Sequence, residues 1–206
     1  MSALFDQVSR RLEAGHAATP PRLWNDPRID DIASFKLAAV LVAITERERP
    51  GILLLHRPST MRAHPGQIAF PGGRLDPGED AVEAALREAN EELGIRTGDV
   101  RVIGTSDVYR TGSGYEITPV VGIVPPDLEI RPNPAEVAQW FEVPVDFVLD
   151  PANQTTRNVE FEGRRHSFIE IVWNDGRQDH VIWGVTGAIL HNLAGRLNWL
   201  ERSPNA

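Results

Sequence analysis

The segment spanning residues 72–95, GGRLDPGEDAVEAALREANEELGI, limits what this chain can fold into more than any other. At 100° per residue it lays out as a helix over residues 79–93, with Val82, Ala85, Leu86, Ala89 and Leu93 on one buried stripe. Glu83 and Asn90 fall on the opposite face, and Glu88, Glu91 and Glu92 share the arc between. Gly94 stands where a helix C-cap glycine belongs. Three carboxylates at i, i+3 and i+4 repel one another by a few tenths of a kcal/mol per pair on an exposed helix. They also lie near the C-terminal end, where the helix dipole disfavours negative charge. Arg87 offsets part of this. A hard divalent cation removes the conflict, because it takes oxygen ligands and leaves positions open for water and phosphate.

The rest of the chain supplies strands for this helix to pack on. FKLAAVLVAIT (35–45) is apolar enough for a buried strand, ERERPG is a polar turn and ILLLHR is a second strand, so the pair is expected to be hairpin-like. Further strands are expected at Val100–Gly104, Ile117–Val124, Trp140–Val143, Ser167–Trp173 and Val181–Trp183. Val185, Ile189, Leu193, Leu197 and Leu200 form a C-terminal helical stripe, and Leu4, Phe5, Val8 and Leu12 an N-terminal one. Irregular alternation of strands and helices points to a mixed α/β (α+β) fold around a curved sheet. The expected organisation is an N-terminal helix and Pro-rich arm over 1–34, one domain over 35–200, and a tail over 201–206.

Composition narrows the chemistry. The 206 residues include no Cys, which removes disulfides, thiolate zinc sites, iron–sulfur clusters and a cysteine nucleophile. A net charge of −8 argues against a general nucleic-acid or anionic-membrane binder. Apolar runs are strand-sized, far short of the roughly 20 residues that span a bilayer, and the N-terminus has no signal layout, so the expected location is cytoplasmic.

Gly73, Glu79, Arg87-Glu88, Ala89, Glu91-Glu92, Gly94 and Ile95 fall at the spacing of a known motif. The segment resembles the Nudix box without a gap, a coincidence on the order of 10⁻⁸ per starting position at average residue usage. Ala89 is smaller than the aliphatic residue usual there. The resemblance implies an α/β/α sandwich with a loop–helix–loop that holds Mg²⁺ or Mn²⁺, and a hydrolase acting on a nucleoside diphosphate linked to another group. It implies Glu88 and Glu92 as principal metal ligands and Glu91 as a further ligand, directly or through water, with Glu91, Glu136 or an acid from another loop as the catalytic base. Glu79 and Arg87 become a structural pair, and the backbone at Gly72–Gly73 completes the metal shell.

Upstream, LLLHRPSTMRAHPGQIAFPGG (53–73) is similar to the signature of the coenzyme A pyrophosphatase branch. Leu53, Leu54, Arg57, Arg62, Gly66, Phe70, Pro71, Gly72 and Gly73 are in register, while Leu55 and Pro58 depart. This implies Arg57, Arg62, Gly66, Phe70, Gly72 and Gly73 as substrate-binding positions; Arg binds phosphate through a planar fork, and His64 adds to the basic patch. SGYEITPVVGIVPPDLEI (113–130) and WGVTGAI (183–189) also resemble that branch, the second read as core. Tyr115 is either a cleft residue or a turn aromatic packed on the sheet, and Glu136, in a region from which some Nudix enzymes supply an extra acid, reads first as a solvated loop carboxylate. The expected substrate is a small molecule, coenzyme A or an acyl-CoA. The alternatives are a Nudix pyrophosphatase for ADP-ribose or a dinucleotide, and a non-catalytic nucleotide sensor. Pairing with a second copy, as a homodimer, is left open.

Overall fold

A computed structural model describes residues 2–19, 23–59, 66–161 and 164–199. Its elements are α1 (Ala3–Ala17), β1 (Lys36–Thr45), β2 (Gly51–His56), β3 (Ile68–Ala69), β4 (Gly72–Arg74), α2 (Ala81–Leu93), β5 (Arg101–Thr105), β6 (Tyr109–Arg110) and β7 (Tyr115–Val124). They continue with β8 (Gln139–Pro144), α3 (Val145–Val148), β9 (Gln154–Phe161), β10 (Arg164–Asn174), β11 (Asp179–Ile182) and α4 (Gly184–Leu197).

The main sheet is mixed, with β3, β2, β1, β7 and β5 in that order, while β4 pairs with β1, β6 with β7 and β8 with β2. Its centre is the parallel pair β1–β7, in register from Lys36↔Tyr115 to Thr45↔Val124. The unbroken apolar run of β1 follows from its burial on both faces. Ala39, Leu41 and Ala43 pack with Ala85, Ala89 and Leu93 of α2. Val42 and Ile44 pack on the other face with Val8 and Leu12 of α1 and Ile189 and Leu193 of α4. A smaller antiparallel sheet, β11-β10-β9, adds Ile169, Ile171 and Ile182 to that second core. The result is the mixed α/β fold expected, with a twisted mixed sheet between helices.

The hairpin expected from β1 and β2 is only partly formed. The two strands are antiparallel neighbours at Ile44↔Ile52. β2 then leaves β1 and runs along β8 from Gly51↔Pro144 to His56↔Gln139. β4 fills the vacated edge of β1, pairing Ala38–Val40 with Arg74–Gly72. This splay brings the segment 66–74 against the sheet centre. Two local readings also change. Val82 is half-buried while Ala84 is fully buried, so the buried face of α2 is rotated toward Ala84. Trp183 does not end a strand: it is extended, precedes α4 and is exposed rather than core. Leu200, Arg62, His64 and the tail 201–206 lie outside the described residues.

Candidate active site

α2 is fixed at both ends by its own sequence. Asp80 accepts from the N–H groups of Val82 and Glu83 at 2.8 and 2.9 Å, and the Glu83 carboxylate accepts from the Asp80 N–H, a capping box. Gly94 closes the other end at φ 69°, its N–H reaching the Ala89 and Asn90 carbonyls. The loop before α2 is tied to it by Arg87. Its Nε and a terminal nitrogen donate to the two oxygens of Glu79 at 2.7 and 3.0 Å, and that terminal nitrogen also reaches the Arg74 carbonyl. The guanidinium hydrogen bonds hold the Glu79 carboxyl down at about 2.

The other guanidinium nitrogen of Arg87 donates to Glu88 at 2.9 Å and to Glu91 at 3.4 Å. From there the acids part ways. Glu92 is 4% exposed. Its Oε2 accepts from the Gly72 N–H at 2.9 Å, and its Oε1 lies 4.0 Å from an Arg57 nitrogen. Burial pushes its carboxyl up to about 7, against the opposing pull of the Gly72 N–H and the Arg57 charge. Burial also raises Glu88, with Arg87 opposing. Glu91 has a side chain 52% exposed and does not line the cavity described next.

Glu88, Glu92 and Glu136 line one cavity of about 390 Å³, together with Gly72, Gly73 and Arg57. β4 carries the two glycines into it. A Cβ at Gly73 would lie 2.3 Å from a Glu88 oxygen, so only glycine lets this backbone lie against the carboxylate. Glu136 arrives on a loop docked to the end of α2: Asn133 N–H donates to the Glu92 carbonyl and Arg131 N–H to the Leu93 carbonyl, both at 2.8 Å. Arg57 follows β2, where its N–H donates to the Gln67 carbonyl and Gly66 N–H returns to the Arg57 carbonyl. Gly66, at φ 68°, thus closes the turn behind Arg57 and does not itself line the cavity. Phe70 is 3% exposed and forms part of the cavity wall.

Other lining residues were not legible as site residues in the sequence. Beside Tyr115, which the sequence offers as a cleft residue, they are Thr111 and Ser113 of the β6–β7 turn and Trp183, Val185 and Thr186 at the start of α4. The Thr186 hydroxyl donates to the Ile68 carbonyl at 2.8 Å and pins α4 to β3. The one local signal was Trp-Gly at 183–184, since Gly184 turns the chain at φ 63°.

These residues suit a hard divalent ion. A buried carboxylate, Glu92, a half-buried one, Glu88, and a third acid, Glu136, face one cavity, and all offer oxygen. Among the described residues, no three acidic or His side chains are arranged to hold one ion as they stand. Arg87 occupies one oxygen of Glu88 and Gly72 one of Glu92, which leaves the others for a ligand.

A model of the NUDIX domain matches residues 35–162. The chain belongs to the Nudix hydrolase family. Nudix hydrolases cleave the diphosphate bond of nucleoside diphosphate derivatives, generally with Mg²⁺ or Mn²⁺. The chain is 42% identical over 158 residues to "Uncharacterized Nudix hydrolase NudL" of Photorhabdus laumondii, covering 76% of this chain and 82% of that one. It is 39% identical over 170 residues to the protein of the same name in Escherichia coli K12, covering 82% and 86%. Among solved structures it is similar to a C. elegans Ap4A hydrolase binary complex, at 22% identity and TM-score 0.47 over 53% of this chain and 80% of that one. Among the described residues no helix is long and apolar enough to cross a membrane.

Proposed function

We propose that this Nudix hydrolase cleaves the diphosphate of coenzyme A or an acyl-CoA, giving adenosine 3′,5′-bisphosphate and (acyl-)4′-phosphopantetheine. The observation that carries this reading is Arg57. It stands in the branch-like segment 53–73, lines the same cavity as Glu88 and Glu92, and has a buried Nε without a hydrogen-bond partner among the described residues. A diphosphate in the cavity would pair with the charge of the Arg57 guanidinium, on a side chain that is 23% exposed. Arg62, in the same segment, is proposed as a second phosphate contact.

Glu88 and Glu92 would hold the divalent ion, with Gly72–Gly73 backbone completing its surroundings. When bound, such an ion neutralises diphosphate charge and acidifies a water, supplying the nucleophile near neutral pH. Hydrolysis forms one O–P bond from water and breaks the bridging P–O bond, and the water proton passes to a base. Glu136 lines the cavity and Glu91 does not, so Glu136 is the better placed of the two for that proton; Glu91 instead helps anchor Arg87. Arg87 and Glu79 keep the loop before α2 in place.

The test is a panel of CoA, acetyl-CoA, ADP-ribose, a dinucleotide and dNTPs with Mg²⁺ or Mn²⁺. The reading expects the highest kcat/KM for CoA or acetyl-CoA. Turnover of ADP-ribose with none of CoA would sink it.

A further inference from the structure

We infer that Trp183 is the stacking surface for the nucleobase of the substrate, an assignment that rests on reading the cavity as a nucleotide diphosphate site. Of the five Trp residues, Trp183 alone is exposed, at 42%. It lines the cavity that also holds Glu88 and Glu92. An indole that borders a cavity offers a large, flat apolar face for a ligand to cover.

The indole is also built to stay in place. Its backbone is extended (φ −150°, ψ −176°) and the chain turns at once at Gly184 into α4. Phe168 of β10 meets its ring at 5.5 Å between centroids and 55° between planes, a tilted contact that braces it from the small sheet. Thr186 fixes the first turn of α4 to β3. Farther along α4, Asn192 exchanges hydrogen bonds with the Trp24 backbone, at 2.6 and 3.1 Å, holding the helix to the N-terminal arm.

Every nucleoside diphosphate derivative carries at least one rigid planar base, and stacking on an aromatic ring needs no base-specific hydrogen bond. Tyr115 is a poorer platform, since the Lys36 ammonium sits 5.7 Å from its ring centroid. The pantetheine arm, through its methyl and methylene groups, is the competing occupant of the indole, and the experiment separates the two.

Isothermal titration calorimetry in Mg²⁺ compares wild type, Trp183→Leu and Trp183→Phe. The probes are AMP, ribose 5-phosphate (the same phosphate without the base) and 4′-phosphopantetheine. Stacking predicts that Trp183→Leu weakens AMP about tenfold, that Trp183→Phe stays within about threefold, and that ribose 5-phosphate and 4′-phosphopantetheine bind as before. Equal AMP affinity in all three proteins would overturn the assignment. So would equal losses for AMP and ribose 5-phosphate, or a loss confined to 4′-phosphopantetheine. CoA turnover by the wild type is read separately. Base-dependent AMP binding without CoA turnover removes coenzyme A and supports the stacking role; CoA turnover with base-independent binding does the reverse.

Discussion

Gly72 and Gly73 are neighbours with different duties, and substitution separates them. A Cβ at Gly72 would lie 2.4 Å from the Ala39 carbonyl oxygen and 2.7 Å from the Val40 Cα, both backbone atoms of the central strand. Gly72→Ala should therefore cost stability, about 1–3 kcal/mol, seen as a lower denaturation midpoint. The three atoms nearest a Cβ at Gly73 all belong to the Glu88 carboxylate, which can swing away. Gly73→Ala should keep the melting temperature within a few degrees and lower kcat by more than about tenfold, because the carboxylate moves off the cavity. Arg57→Ala should raise KM for CoA about tenfold while kcat stays within about threefold, the signature of a lost ground-state phosphate contact. The spacing of the acids made the helix legible in the sequence, since 3.6-residue periodicity fixes which residues share an arc. It did not separate Glu91 from Glu92. One faces solvent and the other is buried, and that difference is decided by β4, which brings the Gly72 N–H to Glu92.

At the scale of elements, the N-terminal arm braces the cavity wall. Asp26 is 8% exposed and accepts from the Gly112 N–H at 2.8 Å, and from Arg28 at 2.7 and 2.9 Å through its side chain. Gly112 lies in the β6–β7 turn between Thr111 and Ser113, both of which line the cavity. Burial works to raise the Asp26 carboxyl, but the Arg28 and Gly112 donors win and hold it at about 2, below the ordinary 3.8. A depressed carboxyl contributes stability above its unfolded value and loses it as the pH falls through about 2, here up to about 2 kcal/mol. Asp26→Asn should lower the melting temperature at neutral pH by about 4 °C and lose less stability than wild type between pH 4 and pH 2. The arm read as Pro-rich and extended, with no sign of this contact, because its partner lies 86 positions away. β3, β4 and β6 are two or three residues long, too short to carry a period. In β9, QTTRNVEF lacks apolar alternation, since this edge strand is mostly exposed. The long elements β1, β7, α2 and α4 were legible because each buries an apolar face.

Taken whole, the molecule puts negative charge where its ligand is also negative. The chain carries a net −8, and three of its acids face the cavity. A divalent ion resolves that conflict. After treatment with EDTA, added Mg²⁺ or Mn²⁺ should therefore raise the melting temperature by a few degrees, and Glu88→Gln should reduce the rise; no shift in the wild type would contradict metal binding by the folded state. The family's fold and reaction class were readable from the box, while the wall built by α4, the β6–β7 turn and the arm took shape only in three dimensions. The most direct test compares CoA hydrolysis by wild type and Glu92→Gln, with metal present and folding verified by melting temperature. The account predicts metal-dependent release of adenosine 3′,5′-bisphosphate by the wild type, and a fall in kcat on the order of 100-fold or more in the variant. Near-normal turnover by a folded Glu92→Gln protein would contradict it.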